Sequence, residues 1–305
     1  MEGILSIVIL VALGFVLTKR GWFSGEVIAF IPKFVTSVAL PPLMFYNLTS
    51  EFDSQALIAA AYGFVVPFTS ILLCIFVSIL VSYLLKIPYG RQGVFRVTFS
   101  FSNAVFIGIP VNLALFGEQS LPYSVLYFVS SVALFWTVGY YLICKDGDMK
   151  DAKLFSAASV KGLFSPPLIG FLVAIVIILA DIPVPDFISN TAKYLGNMTT
   201  PFSLLFIGVI IFGAKLKDLR FSVDIFAVLA GRFVVAPLLV LLMAHFIPIP
   251  LLMKKVFVIQ SSLPAVAQST IVAKLAHADA EYAAMLVGIT TVLAVFSIPF
   301  YMMII

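Results

Sequence analysis

The chain has 305 residues, of which 62% are apolar and 10% charged. An ordinary soluble domain holds roughly 45–50% apolar and about 25% charged residues, and a folded chain of this size hides only about three-quarters of its surface from water. The surplus of apolar side chains, 30 of them Phe, and a mean hydropathy of +1.17 exclude a soluble enzyme and point to a polytopic membrane protein, while a net charge of +4 is too small to mark a nucleic-acid binder.

A membrane-crossing helix takes roughly 20 apolar residues, so a chain of this length accommodates about ten. Apolar runs separated by charged or Gly/Pro-bearing breaks fall near 3–18, 26–48, 55–85, 92–117, 121–144, 163–180, 187–213, 222–247, 251–275 and 279–304. All ten are expected to be helices, because an open strand edge cannot be satisfied in hydrocarbon and the runs are too continuous for barrel strands. The first run follows Glu2 and precedes Lys19 and Arg20, the reverse of a cleaved leader, and is read as a retained span. Cys74 and Cys144 lie inside apolar runs, so no disulfide framework is expected.

Lys and Arg placement sets orientation. The connections after the first, third, fifth and seventh helices, with their flanks, hold Lys19, Arg20, Lys33, Lys86, Arg91, Arg96, Lys145, Lys150, Lys153, Lys161, Lys215, Lys217 and Arg220. The opposite side holds Lys193, Lys254 and Lys255, with Glu51, Asp53, Glu118, Asp181 and Asp186. Both termini are therefore expected outside the cytoplasm, with the connector 145–161 inside. A shift of 160 residues lays Lys33-Phe34 on Lys193-Tyr194, Pro41 on Pro201, Ser102 on Ser262 and Ser130-Ser131-Val132 on Thr290-Thr291-Val292. Five spans per half is odd, so the halves, 1–144 and 162–305, are expected as inverted repeats, the architecture of secondary transporters.

Two segments look unlike ordinary spans and occupy the fourth place in each half. The fourth helix carries Ser102, Asn103, Gly108, Pro110 and Asn112; the ninth carries Gln260, Ser261, Ser262, Pro264, Gln268, Ser269 and Thr270. A Pro in a helix interior costs about 3 kcal/mol, and so many polar groups are tolerated in lipid only against protein or a wet cavity. Each could be a simple kink; together they predict two discontinuous, crossing helices. Two of the four tips would offer N–H groups to an anion, and the other two would offer carbonyls. Asn103 and Gln268 are the leading substrate-binding residues, with Pro110, Pro264, Ser262, Ser269 and Thr270 beside them.

Ser102-Asn103, Gly108-Ile109-Pro110 and Leu115-Phe116-Gly117-Glu118 resemble the fourth-helix signature of the auxin efflux carrier family. Leu40-Pro41-Pro42-Leu43 with Phe45 and Leu48 is similar to its second-helix motif, and Leu263-Pro264-Ala265 with Ala273, Ala276 and Thr290-Thr291 to its C-terminal part. The resemblance covers essentially the whole chain. It implies a fold like that of bile acid–sodium symporters, with a scaffold of helices 1, 2, 6 and 7 and a moving core of 3–5 and 8–10. It further implies a homodimer built through the scaffold and elevator-type transport of a small organic anion. The short connector resembles prokaryotic members, leaving an auxin-like acid and a dicarboxylate such as malate both open as substrate.

Arg232 lies well inside the eighth helix, where a charge costs about 2.5–3.5 kcal/mol on insertion scales. It either attracts the substrate anion or pairs with Asp224 and snorkels toward the cytoplasm; the structural role is preferred. Lys274 is read as interfacial, with anion attraction the sharper alternative, and His245 as solvated. Pro42, Tyr46 and Asn47 are candidates to line the scaffold side, with an aromatic anchor at Tyr46 and a cap at Asn47 as the plainer readings. No acidic residue sits mid-span, which weakens a buried carboxylate relay. Sodium is the one candidate cofactor, with Asn103, Gln260 and Gln268 as neutral ligands. No metal cluster or catalytic constellation is recognised, so an enzyme is not expected. The expected function is a carrier moving a small carboxylate across the cytoplasmic membrane, in the efflux direction. Its rivals are a sodium-coupled uptake symporter and, from another class, a ligand-sensing membrane receptor.

Overall fold

The computed structural model describes residues 2–52, 54–147, 154, 157–213 and 222–305. Asp53, Lys150, Lys153, Lys215, Lys217 and Arg220, which entered the charge pattern, and much of the connector 145–161 lie outside the described residues. In chain order the helices are α1 Glu2–Lys19, α2 Glu26–Phe34, α3 Leu40–Glu51, α4 Ser54–Ala61, α5 Val65–Leu84, α6 Gln92–Ser100, α7 Ile109–Phe116, α8 Leu121–Leu134 and α9 Tyr140–Asp146. They continue with α10 Ala157–Leu163, α11 Pro166–Leu179, α12 Asp186–Asn197, α13 Thr199–Gly213, α14 Val223–Ala230, α15 Ala236–Phe246, α16 Leu251–Ser261, α17 Gln268–Leu275 and α18 Ala280–Ile304.

Among the described residues six continuous helical stretches are long and apolar enough to cross a membrane: Glu26–Ser50, Tyr62–Leu84, Glu118–Asp146, Asp186–Gly213, Val223–Phe246 and Ala280–Ile304. Leu5–Lys19, Ala104–Phe116 and Pro166–Leu179 are shorter apolar helices. Four of the ten apolar runs give no such stretch: those at 3–18 and 163–180 give the shorter helices Leu5–Lys19 and Pro166–Leu179, and the other two are interrupted. The runs at 92–117 and 251–275 are each split: α6 stops at Ser100 and helix resumes at Ala104, while α16 stops at Ser261 and α17 starts at Gln268.

Several long helices are not uniformly α. Wide π turns occupy Val35–Ala39, Ala104–Gly108 and Gly231–Val235, and each ends two residues before a proline: Pro41, Pro110 and Pro237. A proline has no N–H for the carbonyl four residues back and its ring collides with it, so widening the preceding turn relieves the clash without ending the helix. The carbonyl deprived by Pro237 belongs to Phe233, and the Tyr301 hydroxyl donates to it at 2.6 Å. A fourth π turn, Phe135–Gly139, contains no proline.

The chain divides into two compact units. One comprises Met1–Phe64, Val105–Leu126 and Phe164–Gly213; the other comprises Val65–Ala104, Tyr127–Leu163 and Ala214–Ile305. In the first, α1 lies along α13, and α3 packs on α11 and α12. A Cβ on Gly208 would run into the backbone of Val11, Gly14 and Phe15, the close approach by which helices associate in lipid, where apolar burial alone gives no driving force. Rings at Phe15–Phe212 and Phe106–Phe206 meet edge to face, with centroids 5.4 and 5.3 Å apart.

The second unit is built around α6, in which every residue from Gly93 to Ser100 is buried; a helix covered on all sides belongs in an interior. It packs on α5, α9 and α14. Its first turn is held by Asp146, whose carboxylate accepts from the backbone N–H of Gly93 and, at 3.2 Å, of Val94. At the same end Arg91 pairs with Asp279 at 2.6 Å and lies 5.2 Å from the centre of the Tyr282 ring.

Candidate substrate site

Both interruptions fall in the second unit, and the backbone itself joins them. Phe101 leaves α6 with extended dihedrals, φ −103° and ψ 129°. Ser102 and Ala265 form an antiparallel bridge, in which Val266 N–H donates to the Phe101 carbonyl at 3.0 Å and Asn103 N–H to the Pro264 carbonyl at 2.9 Å. A peptide group left unpaired in hydrocarbon costs several kcal/mol, so each broken segment supplies what the other lost.

Within the fourth-helix segment the interruption falls at 101–103. Pro110 sits seven residues on, buried near the start of α7 and absorbed by the π turn before it. Pro264 lies within the second interruption, between α16 and α17. The two prolines therefore do different jobs, and only Pro264 stands at the meeting point.

The carbonyl-bearing tips of α6 and α16 converge on Arg232, which is fully buried. Its Nη1 donates to Ser100 at 3.0 Å and Phe99 at 3.4 Å, its Nη2 to Ser261 at 2.6 Å and Leu263 at 3.1 Å, and its Nε to Leu263 at 3.2 Å. A guanidinium has five N–H donors and stays charged; here all are spent on backbone carbonyls at two helix C-termini, where a cation is favoured. This corrects the pairing expected from sequence. Asp224 instead accepts from the Tyr282 hydroxyl at 2.7 Å, and Arg232 does not snorkel. Nor are its donors available to a substrate.

Helix α18 completes the second interruption. The Thr290 hydroxyl accepts from Ala265 N–H at 3.1 Å while donating to Leu286 at 2.7 Å, and Ser297 donates to the Ser262 carbonyl at 3.1 Å. Thr290, Ser297 and Tyr301 share one helix face by their spacing of seven and four, and each serves backbone that an interruption or a proline has freed. Sequence reasoning noted Thr290 only within a motif and missed Ser297 and Tyr301; that polar spacing on an apolar helix was the available signal. Gly231 lets this region close: a Cβ there would strike the Phe99 ring.

The other two tips are N-terminal ends. Helix Ala104–Phe116 starts directly after buried Asn103, and α17 begins at exposed Gln268, so a neutral amide stands at each. The first N–H groups of a helix lack the usual partner four residues back; here the Ala104 N–H turns back to the Ser102 carbonyl at 2.9 Å, and those of Ser269 and Thr270 to Val266 and Ala267 at 3.2 Å each, so these three are already engaged. Ser262 and Ser269 are buried and donate to Ile259 and Val266; Thr270 is half-buried and Lys274 exposed. Gln260 is fully buried, with neither amide atom hydrogen-bonded.

The scaffold-side candidates Pro42, Tyr46 and Asn47 belong to the first unit and are described within it. Asn47 is buried and donates to Leu43 at 3.0 Å, leaving its oxygen unpartnered. Pro41, Pro42 and Phe45 line an apolar groove of about 480 Å³ with residues of α11 and α12. The Tyr46 ring lies under the Lys193 ammonium, 5.3 Å from its centre. His245 is exposed. Among the described residues no three of His, Cys, Asp and Glu gather as a metal site.

The family model described as Membrane transport protein matches residues 1–302. An uncharacterized transporter of Methanocaldococcus jannaschii is 25% identical over 95% of this chain and 94% of its own length. One of Methanothermobacter thermautotrophicus is 23% identical over 98% and 96%.

Proposed function

The chain belongs to the membrane transport protein family, that of the auxin efflux carriers, and we propose that it is a secondary carrier of a small organic anion, a carboxylate. The observation that carries this reading is the antiparallel bridge at Ser102 and Ala265, where two interrupted helices exchange backbone hydrogen bonds. Under the 160-residue shift, 101–103 corresponds to 261–263, where the second interruption begins. That correspondence supports ten spans in two inverted repeats.

In the proposed cycle the carboxylate is held by the side-chain amides of Asn103 and Gln268, in the positive field of the two N-terminal tips they stand at, with Ser262, Ser269 and Thr270 close in sequence. The amides bind a carboxylate without a fixed charge of their own. Transport proceeds by an elevator-type movement of helices 3–5 and 8–10 against a dimeric scaffold of 1, 2, 6 and 7, in the cytoplasmic membrane, with both termini outside and efflux as the direction. The proposed cycle runs without sodium: Arg232 engages the carbonyls of the α6 and α16 tips, and the rival symporter would rest on the amides of Asn103, Gln260 and Gln268 as ligands.

The test is flux in proteoliposomes against indole-3-acetate, malate and succinate, with sodium or choline outside. Saturable carboxylate flux indifferent to sodium is expected. Sodium-dependent uptake would replace the proposal with a symporter, and binding without flux would replace it with a sensor.

A further inference from the structure

The guanidinium of Arg232 is the centre of a four-carbonyl cage formed by Phe99, Ser100, Ser261 and Leu263. Among the described residues no carboxylate is in ion-pair contact with it: Asp224 is taken by Tyr282, and Asp279 by Arg91. The balancing groups are backbone dipoles, two of them the negative ends of helices. Such a cage is the form a protein gives to a bound cation, with the cation here tethered to α14 through the π turn Gly231–Val235. We propose that the crossover is a cation site whose permanent occupant is the Arg232 side chain, and that this trapped charge makes the neighbouring neutral amides selective for anions. Arg232 is thus a positioning residue: it touches no substrate, fixes the spacing of the two carbonyl tips, and sets the potential at Asn103.

The second half of this inference rests on the carboxylate reading above; the first half does not. Two consequences separate them. Replacing the side chain with a small one, Arg232→Ala, leaves an unfilled carbonyl cage that takes free guanidinium or methylguanidinium. The purified variant is expected to melt well below wild type and to regain most of that loss with methylguanidinium at concentrations far below denaturing ones. Urea, of the same shape without charge, is expected not to restore it. Restoration by urea as well, or by neither, overturns the cage. This readout uses no substrate, so it stands whether or not carboxylates are transported.

For the selectivity, affinity is read by calorimetry with whichever of indole-3-acetate, malate and succinate binds wild type. Arg232→Lys, which keeps the charge, is expected within about threefold of wild-type Kd. Arg232→Gln, which keeps hydrogen-bond donors but not the charge, is expected to weaken binding tenfold or more. Equal affinities in Lys and Gln variants overturn the electrostatic role, and this pair decides the matter if the Ala variant does not fold. Absence of carboxylate binding in wild type refutes the proposed substrate class and leaves the cage result intact.

Discussion

At the crossover, the tips of α6 and α16 end in carbonyls, and these are closed off by the Arg232 guanidinium and by Ser297. The tips beginning at Ala104 and Gln268 are the positive, N-terminal ends, and beside them stand uncharged amides, one buried and one exposed. A C-terminal tip asks for a positive partner and a single side chain can serve two of them at once, whereas an N-terminal tip asks for a negative one. No acidic residue sits within the first or second interrupted segment. One pair of tips is thus completed by the protein, and the proposed substrate completes the other.

That contrast is broken most severely by removing the shared partner. Arg232→Met strands four buried carbonyls, and unfolding in denaturant is expected to show a loss of about 3–5 kcal/mol, the scale for removing one partner of a buried charged contact. Thr290→Val orphans the Ala265 N–H and should cost about 1–3 kcal/mol in the same measurement. Ser297→Ala removes a hydroxyl from a single carbonyl, and about 0.5–1.5 kcal/mol is expected. Asn103→Ala sharpens the contrast from the opposite side. Its side chain is buried beside the N-terminal tips, so stability should fall by only about 1 kcal/mol, the common cost of a point change, while carboxylate flux is lost. A large destabilisation by Asn103→Ala would show that both pairs of tips are structural.

Much of this was legible in the residues. Composition identifies a membrane protein, the apolar runs locate the helical segments, and Pro264 amid Ser and Gln marks one of the interruptions. The residues alone do not place the other, because proline is not what breaks it. Pro110 follows a widened turn and continues a helix, as do Pro41 and Pro237, while the chain leaves α6 at Phe101 without any proline. What decides is whether freed backbone groups find partners in another segment, and that depends on tertiary pairing such as Ser102 with Ala265. Arg232 illustrates the same limit. Its nearest acid in sequence is Asp224, yet its partners are carbonyls 29 to 133 residues away along the chain. A charge inside a span announces that something must compensate it; sequence spacing does not say that backbone will.

The π turn Phe135–Gly139 has a consequence for how this chain tolerates length changes. A turn of that kind holds one residue more than its α counterpart, so the flanks α8 and α9 already keep their facing around a surplus residue. Shortening the chain by one within Phe135–Gly139 should convert the bulge to regular helix and leave both flanks presenting the same sides to their neighbours. The same excision in the middle of α5 would swing everything beyond it by about 100° and turn its lipid-facing stripe inward. Expression of the two shortened chains, followed by size-exclusion profiles, would show whether this helix carries a built-in slot for insertion and loss.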